Sequence, residues 1–166
     1  HSPNAKMPKR PSHPSRRTPA PHPLAELVGK TSAFLKHLGM EILDLQPGRS
    51  LIRLPVGAHL KNSSGAMHGG AIASLVDSAG GLAARTLTHP VTVATVEFKV
   101  NFLAPIRHGE VLAEGRVVHR GRRIAVSEVE VRDEADRPVA RGLVTLMILT
   151  QDRSAQPPRE VRRRDT

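Results

Sequence analysis

Hydrophobic positions along the chain change period twice. Leu24, Leu27, Val28, Thr31, Phe34, Leu35 and Leu38 recur at three- and four-residue spacing, the period of one helix face, and Gly39 supplies the stop. Met40–Leu45 and Ser50–Val56 read as two short strands about a turn at Gln46-Pro47-Gly48-Arg49. A polar loop, Ala58–Met67, leads into a second helix from about Gly70 to Leu87. Beyond it the period becomes two. Ala94, Val96, Phe98, Val100 and Phe102 alternate with Thr95, Glu97, Lys99 and Asn101, a half-buried strand that puts Phe98 and Phe102 in the core. Val111–His119, Ile124–Val131 and Val139–Leu149 are further strands, separated by turns at Arg120-Gly121-Arg122 and Asp133–Pro138. The longest apolar stretch, Leu143–Leu149, reads as buried. Helix, two strands, a long helix and four strands are satisfied by an α+β arrangement, one long helix against a strongly bent antiparallel sheet.

Composition narrows this to one domain. The 166 residues suffice for a single core, expected over residues 24–150. Residues 1–23 form a Pro-rich basic tail expected to be disordered, and 151–166 a flexible basic tail. The formal charge of +10 sits mostly in these tails, which leave +3 on residues 24–150. With three phenylalanines as the whole aromatic content, base-stacking surfaces are lacking, and nucleic acid is not an expected partner. The absence of cysteine excludes disulfides and thiol catalysis. There is no signal-like start and no run long enough to span a bilayer, so a soluble cytoplasmic protein is expected, with no membrane partner.

The chemistry concentrates in Asn62-Ser63-Ser64-Gly65-Ala66-Met67-His68-Gly69-Gly70 and the helix it enters. Adjacent glycines at a helix start leave N–H groups uncovered, and those groups have no intrahelical acceptor. With the helix dipole they suit a carbonyl oxygen becoming an oxyanion. Asp77 shares a face with Gly70, Ala73, Ser74, Gly81 and Ala84, all small, away from the apolar face of Ile72, Leu75, Val76, Ala79 and Ala83. On residue chemistry alone the alternatives stay open. Asp77 can equally be an exposed helix aspartate paired with Arg85, His68 a packed loop histidine, Gly69-Gly70 a plain turn and Asn62 an Asx-turn residue. No Gly-x-Ser-x-Gly elbow or Walker loop is present. The nine histidines are too widely spaced for an i,i+4 metal pair. A carboxylate mechanism is then the economical one for a hydrolase.

Asn-x-x-Gly-x-x-His-Gly-Gly, with an acid nine residues after the histidine, resembles the hotdog-fold thioesterases of the phenylacetate-degradation (PaaI-like) branch. The run from Thr95 to Pro105 and the Gly-Glu-Val…Gly-Arg pattern near residues 109–122 are similar to it as well. The resemblance spans about residues 24–150. It implies a hotdog fold, a long central helix wrapped by the bent antiparallel sheet. It implies hydrolysis of an acyl-CoA thioester, aryl or medium-chain, to free acid and coenzyme A. No metal takes part, and no cofactor beyond the coenzyme A of the substrate.

Under the resemblance, the Gly69 N–H polarises the thioester carbonyl, His68 shapes the site and Gly70 contacts substrate. Asp77 is general base or nucleophile, Asn62 positions carbonyl or water, and Thr95 places a hydroxyl near the carboxylate. A homodimer with shared active sites is implied, the loop from one subunit and the acid from the other, with pairs of dimers forming a tetramer. Arg122 and Arg123 read either as contacts for coenzyme A phosphates, which guanidinium forks suit, or as a solvated hairpin turn. A hotdog hydratase or dehydratase is one alternative. A non-catalytic acyl-CoA-binding or regulatory module is another, which Asp77 argues against because binding a thioester needs no base.

Overall fold

A six-residue helix, α1 (Ala33–Leu38), opens the part of the chain that the computed structural model describes, residues 32–149. Ser32 caps it by accepting the Leu35 N–H, and Gly39 ends it in the left-handed region at φ 80°. The start expected for this helix at Leu24, and both tails, lie outside the described residues. Strands β1 (Glu41–Gln46) and β2 (Arg49–Pro55) form a hairpin around Gly48. A short 3₁₀ turn, Ala58–Leu60, precedes the long helix α2 (Gly69–Thr88). Strands β3 (Val93–Phe102), β4 (Glu110–Arg120), β5 (Ile124–Asp133) and β6 (Pro138–Ile148) complete the chain.

The six strands make one antiparallel sheet in the order β1-β2-β4-β5-β6-β3. Helix α2 carries the chain from β2 across one face of the sheet, so β3 emerges at the far edge beside β6. The helix is drawn close to the strands by small residues. A Cβ on Gly115 would collide with the Ala79 carbonyl, and one on Gly142 with the Val76 side chain. Two buried hydroxyls fasten the contact: Ser50 Oγ donates to the Ala79 carbonyl at 2.7 Å and Ser127 Oγ to the Gly80 carbonyl at 2.9 Å. The apolar face expected of α2 is buried, Ile72, Leu75, Val76, Ala79 and Ala83 included. Ala84, expected beside Asp77 on the small face, is buried instead. Around it Leu82, Ala83, Thr86 and Thr88 are also buried, so the last turns of α2 are covered on more than one side.

Bulges correct the strand reading. Register shifts leave Leu43, Val96 and Val118 as extra residues in β1, β3 and β4, and all three are exposed. In β3 the extra Val96 breaks the alternation, placing Thr95 on the helix side with Phe98, Val100 and Phe102. Thr95 pairs with buried Leu146, and Phe98 with buried Val144. Phe98 and Phe102 are nonetheless 41% and 54% exposed. They are not core residues, because β3 is an edge strand with nothing beyond it to cover them. Leu143–Leu149 is likewise half-buried: Val144, Leu146 and Ile148 face the core, Leu143 and Met147 face out. No helix among the described residues is long and apolar enough to cross a membrane.

Candidate active site

The loop before α2 is held from both sides. His68 N–H donates to the Leu60 carbonyl at 2.7 Å and Met67 N–H to the Ile106 carbonyl at 2.6 Å, with Leu60, Ala66 and Met67 buried beneath. At its tip, Asn62 Oδ1 accepts from Ser64 N–H, Ser64 Oγ and Ala66 N–H at 3.0, 2.7 and 3.1 Å. Its oxygen is thus occupied within the loop, and the amide NH2 remains to meet another molecule. Arg107 Nη1 adds a bond to the Ser64 carbonyl at 2.8 Å.

His68 is the N-cap of α2. Its Nδ1 accepts the Gly70 N–H at 2.9 Å, which in a neutral ring leaves the proton on Nε2. Ala71 and Ile72 donate to the His68 carbonyl. Gly69 N–H is the donor of this first turn with no acceptor among the described residues. The ring of Phe102 lies over Gly69, its Cζ 3.3 Å from where a Cβ would stand. Helix α2 thus begins with one uncommitted N–H, backed by the helix dipole and flanked by an imidazole and an aromatic ring.

Two turns further along, half-buried Asp77 projects toward β3. Thr95 Oγ1 donates to Asp77 Oδ1 at 2.7 Å. No salt bridge joins Asp77 to Arg85 among the described residues. The bulge at Val96 makes the Thr95 contact by turning the threonine inward. One carboxylate oxygen is fixed, and the other has no hydrogen-bond partner among the described residues.

The model of a family described as the thioesterase superfamily matches residues 64–140, a span holding Gly69, Asp77 and Thr95. A Saccharolobus solfataricus protein bearing an esterase name is 32% identical over 76% of this chain and 90% of its own length. The chain belongs to the hotdog thioesterase superfamily. Solved structures agree. A conserved Pseudomonas aeruginosa protein is 40% identical over 71% of this chain and 94% of its own, with a TM-score of 0.69. A Haemophilus influenzae thioesterase is 25% identical over 80% and 92%, with a TM-score of 0.73. The phenylacetic acid degradation protein PaaI of Thermus thermophilus, in a mutant form, is 31% identical over 71% and 100%, with a TM-score of 0.66.

In this superfamily member the expected residues fall into two groups. Asn62, His68, Gly69 and Gly70 share the start of α2, while Asp77 and Thr95 meet at its middle. Asp77 is eight helical steps beyond Gly69, about 12 Å along the axis at about 1.5 Å each. Arg122 and Arg123 are exposed in the β4–β5 turn and free of salt bridges among the described residues. The Arg123 carbonyl accepts Ile148 N–H, which puts the turn at the Thr95 end of the sheet, two strands in from β3. The local sequence does not mark Phe102 as a neighbour of Gly69 or Arg107 as a brace of the loop. Phe102 fits the alternation of β3, and Arg107 lies in the irregular segment between β3 and β4. An open groove of about 530 Å³, lined in part by Lys99, Asn101, Arg116, Glu128 and Arg141, lies on the sheet's outer face, away from both groups.

Proposed function

We propose that this thioesterase-superfamily chain hydrolyses acyl-CoA thioesters, aryl or medium-chain, with Asp77 as the reacting carboxylate. The pairing of a threonine-anchored carboxylate with an uncommitted N–H at Gly69 carries the reading. Oxyanion stabilisation by an oriented N–H is worth about 3–4 kcal/mol in acyl transfer. Asp77 takes the proton of an attacking water, or attacks the carbonyl carbon itself to give a mixed anhydride that water then opens. In both routes the C–S bond breaks and coenzyme A leaves as the thiol. Asn62 and His68 Nε2 offer further donors to carbonyl or water, Gly70 lets the acyl group approach, and Arg122 and Arg123 contact coenzyme A phosphates. No metal enters this chemistry, and a chelator is expected to leave it unchanged.

The separation of about 12 Å between Gly69 and Asp77 along the helix argues against one chain serving one carbonyl with both. A site shared between two copies removes the difficulty. Strand β3 supplies the means: a ten-residue edge strand with Val96, Phe98 and Phe102 exposed, the kind of edge that pairs with another strand. The working unit of this reading is a homodimer in which Asp77 acts on a thioester held by the partner's Gly69.

Asp77→Asn tests the chemistry. It keeps the acceptor for Thr95 while removing the base, so thiol release from a panel of acyl-CoAs should fall at least about a hundredfold with binding retained. Unchanged turnover would remove Asp77 from the reaction. Binding by the parent protein without hydrolysis of any panel member would make the chain a binding module. Single-turnover reaction in ¹⁸O-water bears on the two routes: label in the Asp77 carboxylate marks the nucleophile route, with water opening the anhydride at the Asp77 carbonyl, whereas the general-base route puts label only in the acid.

A further inference from the structure

Resting on the reading of Asp77 just given, we infer that Arg85 binds a carboxylate at the far end of the substrate's acyl group, so that the preferred thioesters are those of dicarboxylic acids. Three arginines among the described residues are half-buried, Arg53, Arg85 and Arg132. Arg53 engages Glu41 and Glu110, and Arg132 engages Glu130 and Asp136. Arg85 has no salt bridge and no side-chain hydrogen bond among the described residues. A guanidinium presents its N–H donors in a planar fork that matches a carboxylate, and it stays charged at any working pH. Partly withdrawn from water with no acceptor, the Arg85 fork is a group that anionic oxygens of a ligand would complete.

Its place on α2 points to the acyl end. Asp77, Gly81 and Arg85 follow one another at four-residue spacing along one side of the helix, about 6 Å apart at about 1.5 Å a residue. Leu87, two positions on and so on the opposite side of the helix, has its Cδ1 3.5 Å from where a Gly48 Cβ would stand, which puts the β1–β2 hairpin away from Arg85. Gly81 leaves the step between acid and base bare. A Cβ there would meet Leu146 Cδ2 at an ordinary 3.7 Å and nothing closer, so the fold would accept alanine, the better helix former. Long helical side chains lean toward the helix start and cover the turn before their own Cα, so the Arg85 fork belongs over Gly81. Length then separates the two anionic ends of an acyl-CoA. The pantetheine arm runs about thirteen bonds from sulfur to phosphorus, roughly 15 Å extended at the reach of a backbone chain. The far carboxylate of an adipyl group lies about five bonds from the thioester carbonyl, roughly 6 Å on the same measure. A carbonyl reacting at Asp77 therefore brings the adipyl carboxylate to the step over Gly81, and the phosphates overshoot it. Asp77 itself repels such an acyl end, so a cation is needed to admit it.

Adipyl-CoA and hexanoyl-CoA differ at that end alone. The parent protein is expected to show kcat/KM for adipyl-CoA at least about tenfold above that for hexanoyl-CoA, the yield of one charge-assisted contact. Arg85→Gln should erase the preference by lowering the adipyl value alone, and Arg85→Glu should favour ε-aminohexanoyl-CoA over adipyl-CoA. No parental preference for adipyl-CoA, or the same preference in Arg85→Gln, overturns the assignment. So does an equal loss on both acyl-CoAs. If that loss vanishes with N-acetylcysteamine thioesters, which carry no phosphate, Arg85 serves the phosphates; if it persists, Arg85 is structural. Calorimetry on the Asp77→Asn protein repeats the comparison without turnover. Adipyl-CoA should bind about tenfold more tightly than hexanoyl-CoA, and adding Arg85→Gln should remove the margin. That margin beside a parent protein that hydrolyses neither leaves the Arg85 assignment standing and the activity refuted, and hydrolysis of hexanoyl-CoA without the margin does the reverse.

Discussion

At Gly69 a single atom can be removed with little else disturbed. Gly69 is the first residue of α2, a position that tolerates proline, and His68 before it holds φ −65° and ψ 137°, the extended backbone a residue preceding proline requires. Gly69→Pro therefore deletes the free N–H and keeps the helix start; the Phe102 ring, exposed at its edge, can give way to the pyrrolidine. The turnover number is expected to fall by about two to three orders of magnitude, with the far-UV circular dichroism and melting temperature close to the parent's. Parental turnover in this variant would take the Gly69 N–H out of the mechanism. Residue chemistry had made both this N–H and Asp77 legible in the sequence, as a bare helix start and an acid on a small-residue face. The anchor of the carboxylate, Thr95, was legible only through the family resemblance and not in the residue pattern itself. Thr95 belongs to the polar half of an alternating strand and turns toward Asp77 only because Val96 is an extra residue; a period of two carries no mark of a bulge.

Elements were legible where their own pattern decided them, and less so where neighbours did. The bounds of α2 and of the six strands follow from periodicity, turn residues and Gly39. The exposure of Phe98 and Phe102 does not, because edge or centre is decided by where α2 delivers the chain. The fit of α2 to the sheet has a measurable consequence at Gly80. In most helices Gly→Ala is favourable by about 1 kcal/mol. Here the added Cβ would stand 2.7 Å from Val144 Cγ2 and 2.9 Å from Val144 Cβ, a fully buried side chain close to its backbone. Overpacking of this kind costs about 1–3 kcal/mol, so Gly80→Ala is expected to reverse the usual sign and lower the stability, read as a lower urea midpoint. A raised midpoint would mean that α2 can lift from β6 more freely than its contacts indicate.

On the scale of the whole molecule, the question is whether Gly69 and Asp77 that serve one thioester belong to one chain or two. Geometry within the chain argues for two, and the argument has a test that needs no structure of a complex. Asp77→Asn lacks the carboxylate but keeps a sound helix start; Gly69→Pro lacks the N–H but keeps Asp77. Each alone should be nearly inactive. If sites are shared, a mixed dimer has one site where Asp77 from the Gly69→Pro chain faces the intact Gly69 of the other, and one site where both groups are spoiled. Random reassortment after co-refolding makes half the dimers mixed, so about one quarter of parental activity should return. If each chain served its own thioester, every site would keep its own defect and mixing would restore nothing. Recovery that rises as the two proteins exchange subunits, and stops near that quarter, would tie the activity to the pairing of two copies, because no rearrangement within one chain can assemble both groups.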